Sequence, residues 1–167
     1  ISGTGYGDHL VVRAPWGGSY NAPGILIISH MDTVHPKGTL KTFPFRTEGD
    51  LAFGPGIYDM KGGAYCAMRA VSDLAAGSGA PLPVTHLFVA DEEIGSPTSK
   101  DLIVDLGRAA KHVLVTEPAR EGGKIVVARK GAVRYEVTTH GEASHAGARH
   151  GDGRSAIKEM AHVILKL

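Results

Sequence analysis

The chain has 167 residues, 43% of them hydrophobic, which suffices for one ordinary domain with a real core. Its 18 basic and 17 acidic residues are dispersed and leave a formal net charge of +1, so neither nucleic acid nor a membrane surface is indicated as a partner. No apolar run approaches the roughly 18 residues of a spanning helix, and the single cysteine, Cys66, excludes a disulfide framework and a cysteine-based zinc site. Any metal must be held by histidines and carboxylates.

Residues 8–13 (DHLVVR) predict a first strand, and the turn-rich stretch from Pro15 to Gly24 suggests a hairpin loop into a second strand ending at His30. The segment from Pro36 to Lys61 carries Gly, Pro and aromatic residues without sustained periodicity, which in a compact domain marks a loop with a job. Ala64, Ala67, Met68, Val71, Leu74 and Ala75 then repeat at helical spacing, predicting an amphipathic helix that ends near Gly77. A buried strand over 84–90 follows. Pro97-Thr98-Ser99 introduces a second helix to about Ala110, with Leu102, Ile103 and Leu106 on one face, and residues 113–116 predict another buried strand. This alternation implies an α/β fold, a mostly parallel sheet flanked by helices with antiparallel strands at its edge.

After Glu121-Gly122-Gly123 the pattern changes. Residues 124–139 alternate and contain Val, Tyr and Thr, as antiparallel strands with one solvated face would. A last helix, capped by Asp152 or Ser155, would carry Ile157, Met160, Ala161 and Ile164 as its apolar stripe. The expected division is 1–124 for a first domain and 125–167 for the opening of a second, cut off in a helix that looks unfinished. Because the chain begins at Ile1 rather than Met, it reads as an excerpt, and the compartment stays open between cytoplasm and periplasm.

Three apolar runs end in potential metal ligands. GILIIS runs into His30, VTHLFVA into Asp91-Glu92-Glu93, and VLVT into Glu117. Short β-branched runs read as strands buried on both faces, and in open α/β sheets ligands sit beyond the carboxyl ends of parallel strands, so the three tips would converge on one crevice. His30 and Asp32 lie two apart and point to one side: His30 suits a metal and Asp32 the carboxylate that orients it, against the plainer reading of a strand-end histidine satisfied by an aspartate. Asp59, in GPGIYDMKGG before a helix, could be an N-cap, part of a phosphate loop, or a carboxylate bridging two cations. Three adjacent acids at 91–93 repel one another, so at least one should have a raised pKa unless cations offset the repulsion. Alternation points Glu92 and Glu93 in different directions, so that one can hold metal while the other takes a proton from water; an exposed acidic turn is the alternative. His145 in GEASHAG reads as a loop histidine, His35 as solvated, and Cys66 as a small helix residue rather than a nucleophile.

SHMDTVHP, GPGIYDMKGG, DEEIGS, TEPA and GEASHAG occur in the order seen in the M20 family of metallopeptidases, and the chain resembles that family throughout. From FPFRTEGDLAFGPGIYDMKGG onward it is most similar to the glutamate carboxypeptidase (carboxypeptidase G2-like) branch. The resemblance implies a zinc exopeptidase-like catalytic domain over 1–124, binding two Zn2+, and the start of a lid domain that often forms a homodimer interface over 125–167. By position, His30 and Glu117 match ligands of one zinc, Glu93 a ligand of the other, Asp59 the bridging carboxylate and Glu92 the general base. Asp32 matches the acid that orients His30, and the bond after Asp59 is often cis in relatives. His145 matches a lid histidine that reaches the partner subunit's active site and stabilises the oxyanion, which reverses the loop reading. The family's last zinc-ligating histidine follows the lid, and the chain stops before that point. The implied activity is amide hydrolysis, releasing a C-terminal amino acid of glutamate type from a peptide or N-acyl amino acid. An N-acyl amino acid deacylase, aminoacylase- or desuccinylase-like, is the alternative within the family, and a non-catalytic binding or dimerisation module the alternative of another class.

Overall fold

The computed structural model describes every residue except 15, 17, 18, 20 and 21. The chain forms two compact units, Ile1–Ile125 and Val126–Leu167. The first is built on a four-stranded sheet in the order β1-β5-β2-β6, with β1 at Leu10–Ala14, β2 at Ile25–His30, β5 at Val84–Val89 and β6 at His112–Val115. β2 runs parallel to both β5 and β6, in register from Ile25↔Val84 to His30↔Val89 and from Ile25↔His112 to Ile28↔Val115. β1 is the antiparallel edge.

The alternation along β2 divides the sheet into two faces. Leu26 and Ile28, with Leu87 and Val89 of β5, form the core against Leu102, Ile103, Leu106 and Ala110 of helix α2, Lys100–Ala109, and its C-cap. Ser29, His86 and Phe88 point to the opposite face, where the rings of His86 and Phe88 stack with centroids 3.9 Å apart. Helix α1, Gly62–Ala76, follows the spacing of its apolar residues and ends at Gly77. Its start lies so close to the end of β6 that a Cβ on Gly63 would sit 1.9 Å from the Thr116 carbonyl oxygen; only glycine allows that approach. The long segment between β2 and α1 folds into a two-stranded hairpin, β3 at Arg46–Glu48 and β4 at Leu51–Phe53, and a wide turn over Ile57–Lys61.

Three expectations need correction. β1 and β2 do not form a hairpin: both edges of β2 are taken by parallel partners, so β1 pairs with the outer edge of β5. β6 is not buried on both faces, because it is the other edge of the described sheet, and Val113, Leu114 and Val115 are all exposed. Among the described residues, 124–139 form no strand, only a single bridge between Arg120 and Lys124, because no partner edge is paired with them. The second unit consists of a turn-rich stretch closed by a Glu142↔Arg154 bridge and helix α3, Ala156–Ile164, where Ser155 Oγ caps the first turn by accepting from Lys158 N at 3.2 Å. No helix among the described residues is long and apolar enough to cross a membrane.

Candidate metal centre

His30 is the last residue of β2 and is 2% exposed. Its Nδ1 donates to the Asp32 carbonyl oxygen at 3.0 Å, and because a carbonyl only accepts, this fixes the proton on Nδ1. The neutral ring therefore presents the Nε2 lone pair outward. Around Nε2 stand Asp59 Oδ1 at 3.0 Å, Glu117 Oε1 at 3.7 Å and Glu92 Oε2 at 3.9 Å. The backbone N–H of His30 donates to the sulfur of the buried Met60 at 3.2 Å, which ties the strand tip to the turn that carries Asp59.

That turn gives Asp59 an extended backbone (φ −118°, ψ 99°), Met60 is non-helical as well (φ −128°, ψ 29°), and the peptide bond between them is cis. Gly56 enters the turn with φ +68°, and a Cβ there would lie 2.3 Å from Thr33 Cγ2. After β5 the chain makes a short 3-10 turn, Glu92–Ile94. Asp91 does not join the acidic cluster. It is fully buried, and its carboxylate accepts from Thr98 N (2.7 Å), Thr98 Oγ1 (2.7 Å), Ser99 N (3.1 Å) and Ser99 Oγ (2.5 Å). Burial alone would raise its pKa, but these four donors outweigh it and hold the carboxyl below its ordinary value. Asp91 thus anchors the turn to the start of α2, leaving Glu92 and Glu93 to face the site. Asp32 Oδ2 accepts from Glu93 N at 2.9 Å and holds the same turn from the other side.

Two groups offer ligand atoms all within 4.8 Å of one another: His30 with Asp59 and Glu93, and His30 with Glu92 and Glu117. Asp32, Asp59, Glu92, Glu93 and Glu117 are therefore gathered about one imidazole. Each close pair of carboxylates is unfavourable by about 1 kcal/mol in water and about 4 kcal/mol near a protein surface. The electrostatics record the crowding. Burial acts to lower the His30 pKa, yet the Asp32 carbonyl and the carboxylates of Asp59, Glu92 and Asp32 leave it raised. Glu92 is raised by burial first and then by Glu93, Asp32 and Asp59, with His30 opposing. The cluster favours added positive charge. Asp32 Oδ1 fits a cation as well: it is buried, has no hydrogen-bond partner among the described residues, and lies 3.5 Å from His30 Nδ1. A histidine that coordinates through Nε2 commonly rests its other ring nitrogen on such a carboxylate. One imidazole with several carboxylates and no thiolate suits a borderline or hard divalent ion.

A family model described as peptidase family M20/M25/M40 matches residues 26–165. The chain belongs to this family. Carboxypeptidase G2 from Pseudomonas sp. (strain RS-16) is 40% identical over 162 residues, 96% of this chain and 38% of that protein. A succinyl-diaminopimelate desuccinylase from Novosphingobium aromaticivorans is 31% identical over 130 residues, covering 72% of this chain and 34% of that protein. A probable carboxypeptidase from Trichophyton verrucosum is 29% identical over 157 residues, 90% of this chain and 33% of that protein. The chain thus spans little more than a third of the length of these curated relatives.

His145 lies in the second unit. Its Nδ1 accepts from Gly147 N (3.2 Å) and Ala148 N (3.1 Å), so the neutral ring carries its proton on Nε2 and is a donor there. Cys66 is exposed on α1. Sequence reasoning missed the polar residues behind the site. His9, 3% exposed, accepts from Ala90 N through Nδ1 at 3.3 Å and meets Thr98 Oγ1 at 3.0 Å through Nε2, bracing the Asp91 anchor. Ser29, His86 and Thr116 hydrogen-bond beneath the sheet tips, with Ser29 Oγ 2.8 Å from His86 Nε2 and 2.7 Å from Thr116 Oγ1. Their signal was a polar residue interrupting each apolar run.

Proposed function

We propose that this chain carries most of the active site of a metal-dependent hydrolase that cleaves an amide bond, a carboxypeptidase releasing a C-terminal amino acid of glutamate type. The observation that supports this most is the oriented His30 Nε2 ringed by carboxylates from three separate segments. In this reading His30, Glu117, Glu93 and Asp59 would hold two zinc ions, His30 and Glu117 serving one, Glu93 the other and Asp59 both, while Asp32 keeps His30 turned. When bound, such ions supply Lewis acidity toward the amide carbonyl and make water easier to deprotonate. Glu92 accepts the proton as the water oxygen bonds to the carbonyl carbon, and delivers it to the nitrogen as the C–N bond breaks. Residues 1–124 are then the N-terminal part of the catalytic domain and 125–167 the opening of a lid. A homodimer through that lid would let the Nε2–H of His145 serve as an oxyanion donor in a partner's site.

The test is Glu92→Gln in the full-length protein. Zinc content should be kept while dipeptide hydrolysis falls by at least about 100-fold, the low end of what a general base contributes; retained activity would refute the assigned role. The likeness to a desuccinylase supports a second reading, an N-acyl amino acid deacylase using the same residues. Comparing kcat/KM for C-terminal glutamate peptides and for N-succinyl or N-acetyl amino acids separates the two.

A further inference from the structure

Glu117 presents a problem of positioning. It follows β6, a strand of four residues that pairs with β2. A metal ligand must be held within about 0.5 Å of its working geometry. The ladder between β2 and β6 ends at Ile28↔Val115, two residues short of Glu117. Beyond it, Thr116 does the holding. Its N–H donates to the Ile28 carbonyl at 3.1 Å, and its hydroxyl meets Ser29 Oγ at 2.7 Å with the Ile28 carbonyl a further acceptor at 3.3 Å. Ser29 Oγ in turn meets His86 Nε2 at 2.8 Å, and both residues are buried, at 0% and 4% exposed. With the carbonyl as terminal acceptor, the protons run in one direction, from His86 Nε2–H to Ser29, to Thr116, to Ile28 O, leaving no hydroxyl of the chain without a donor role.

The same residue touches the remaining part of the site. The Thr116 carbonyl lies against Gly63, where any side chain would collide with it, and Gly63 is in the first turn of the helix that follows Asp59. Ser29 precedes His30, and Thr116 precedes Glu117. We infer that Thr116, braced by Ser29 and His86, is a positioning residue that fixes the Glu117 carboxylate against His30 and so sets cation affinity and coordination geometry at that pair. The inference rests on the reading of His30 and Glu117 as ligands of one cation.

The test uses the full-length protein, titrated with Zn2+ and with Co2+ by calorimetry, with the visible absorption of the bound Co2+ reporting geometry. Thr116→Val keeps the shape and removes the hydroxyl; it should weaken binding about 10- to 100-fold, as loss of groups supporting a ligand does, and should change the Co2+ spectrum. Thr116→Ser should restore both. Ser29→Ala should move both in the direction of Thr116→Val, and it carries the test alone if Thr116→Val does not fold. Val11→Ala, on the α2 face of the sheet, lowers stability without touching the network and should leave affinity and spectrum as they are. Wild-type affinity and spectrum in Thr116→Val or, if it fails to fold, in Ser29→Ala would overturn the inference, as would an equal loss in Val11→Ala. Glu117→Gln separates the two levels: if it binds both ions like the wild type, the ligand assignment itself is wrong, whereas loss there with none in Thr116→Val defeats only the positioning role.

Discussion

Acid should destabilise this fold through His86 before it affects Asp91. His86 is 4% exposed and its burial lowers the pKa from 6.5 to about 4. The unfolded chain therefore binds a proton that the folded chain rejects. The stability conferred by the neutral ring is fully present above pH 6.5 and is lost as pH falls toward 4. The lowered pKa corresponds to roughly 3 kcal/mol, most of which should disappear between pH 7.5 and 4.5. His30 works with the opposite sign, since its pKa is raised: its contribution is present below pH 6.5 and lost as pH rises. Comparing the wild type with His86→Gln, which keeps a hydrogen-bonding group for Ser29 but does not titrate, cancels the His30 term. Urea unfolding at both pH values in excess chelator, followed by far-UV circular dichroism, gives the four free energies required. An equal loss in wild type and His86→Gln would refute the reasoning.

Asp91→Ala leaves the buried Ser99 and half-buried Thr98 donors without their acceptor, and should cost about 3 kcal/mol in urea unfolding at neutral pH, the upper end for leaving a buried donor unsatisfied; a loss under about 1 kcal/mol would show that water replaces the carboxylate. Asp91 also adds an acid limb below pH 3.8, where its lowered pKa keeps stability until the group protonates. Removing bound metal should lower the melting temperature, and restoring zinc at about 100 times its Kd should return about 2.7 kcal/mol. A melting temperature indifferent to chelator and zinc alike would count against the carboxylate cluster as a cation site.

The strand tips were legible because their signals are local. The apolar runs of β2 and β5 end abruptly at His30 and at the 91–93 acids, and period-two alternation with parallel pairing brings such ends together. α1 and α2 were legible from spacing, and even the turn over Ile57–Lys61 was marked by its glycines. What the sequence did not reveal depends on partners distant along the chain. Whether VLVT is a central or an edge strand is decided by what lies beside it, and the run reads the same either way. Likewise the alternation over 124–139 shows a face suited to pairing but supplies no edge to pair with. Asp91 looked like a third member of an acidic cluster; only the fold turns it inward onto Thr98 and Ser99. His9, Ser29 and His86 are polar groups whose buried partners lie 57 or more residues away, as in the Ser29–His86 bond and the His9–Thr98 bond, so no window along the chain could identify them.

Asp59 reaches His30 across 29 positions of chain, and the segment between them contains no strand of the main sheet. A cation shared by these two side chains would act as a reversible cross-link that closes that segment into a ring. For a loop of this length the length-dependent part of the closure entropy is about 3 kcal/mol, comparable to a disulfide in a chain that has none to make. Ion binding would then reinforce the closure that the His30 N–H to Met60 sulfur and Lys61 Nζ to Met31 carbonyl bonds already make, and the 31–58 segment, with the hairpin of β3 and β4, would open less often while the metal is held.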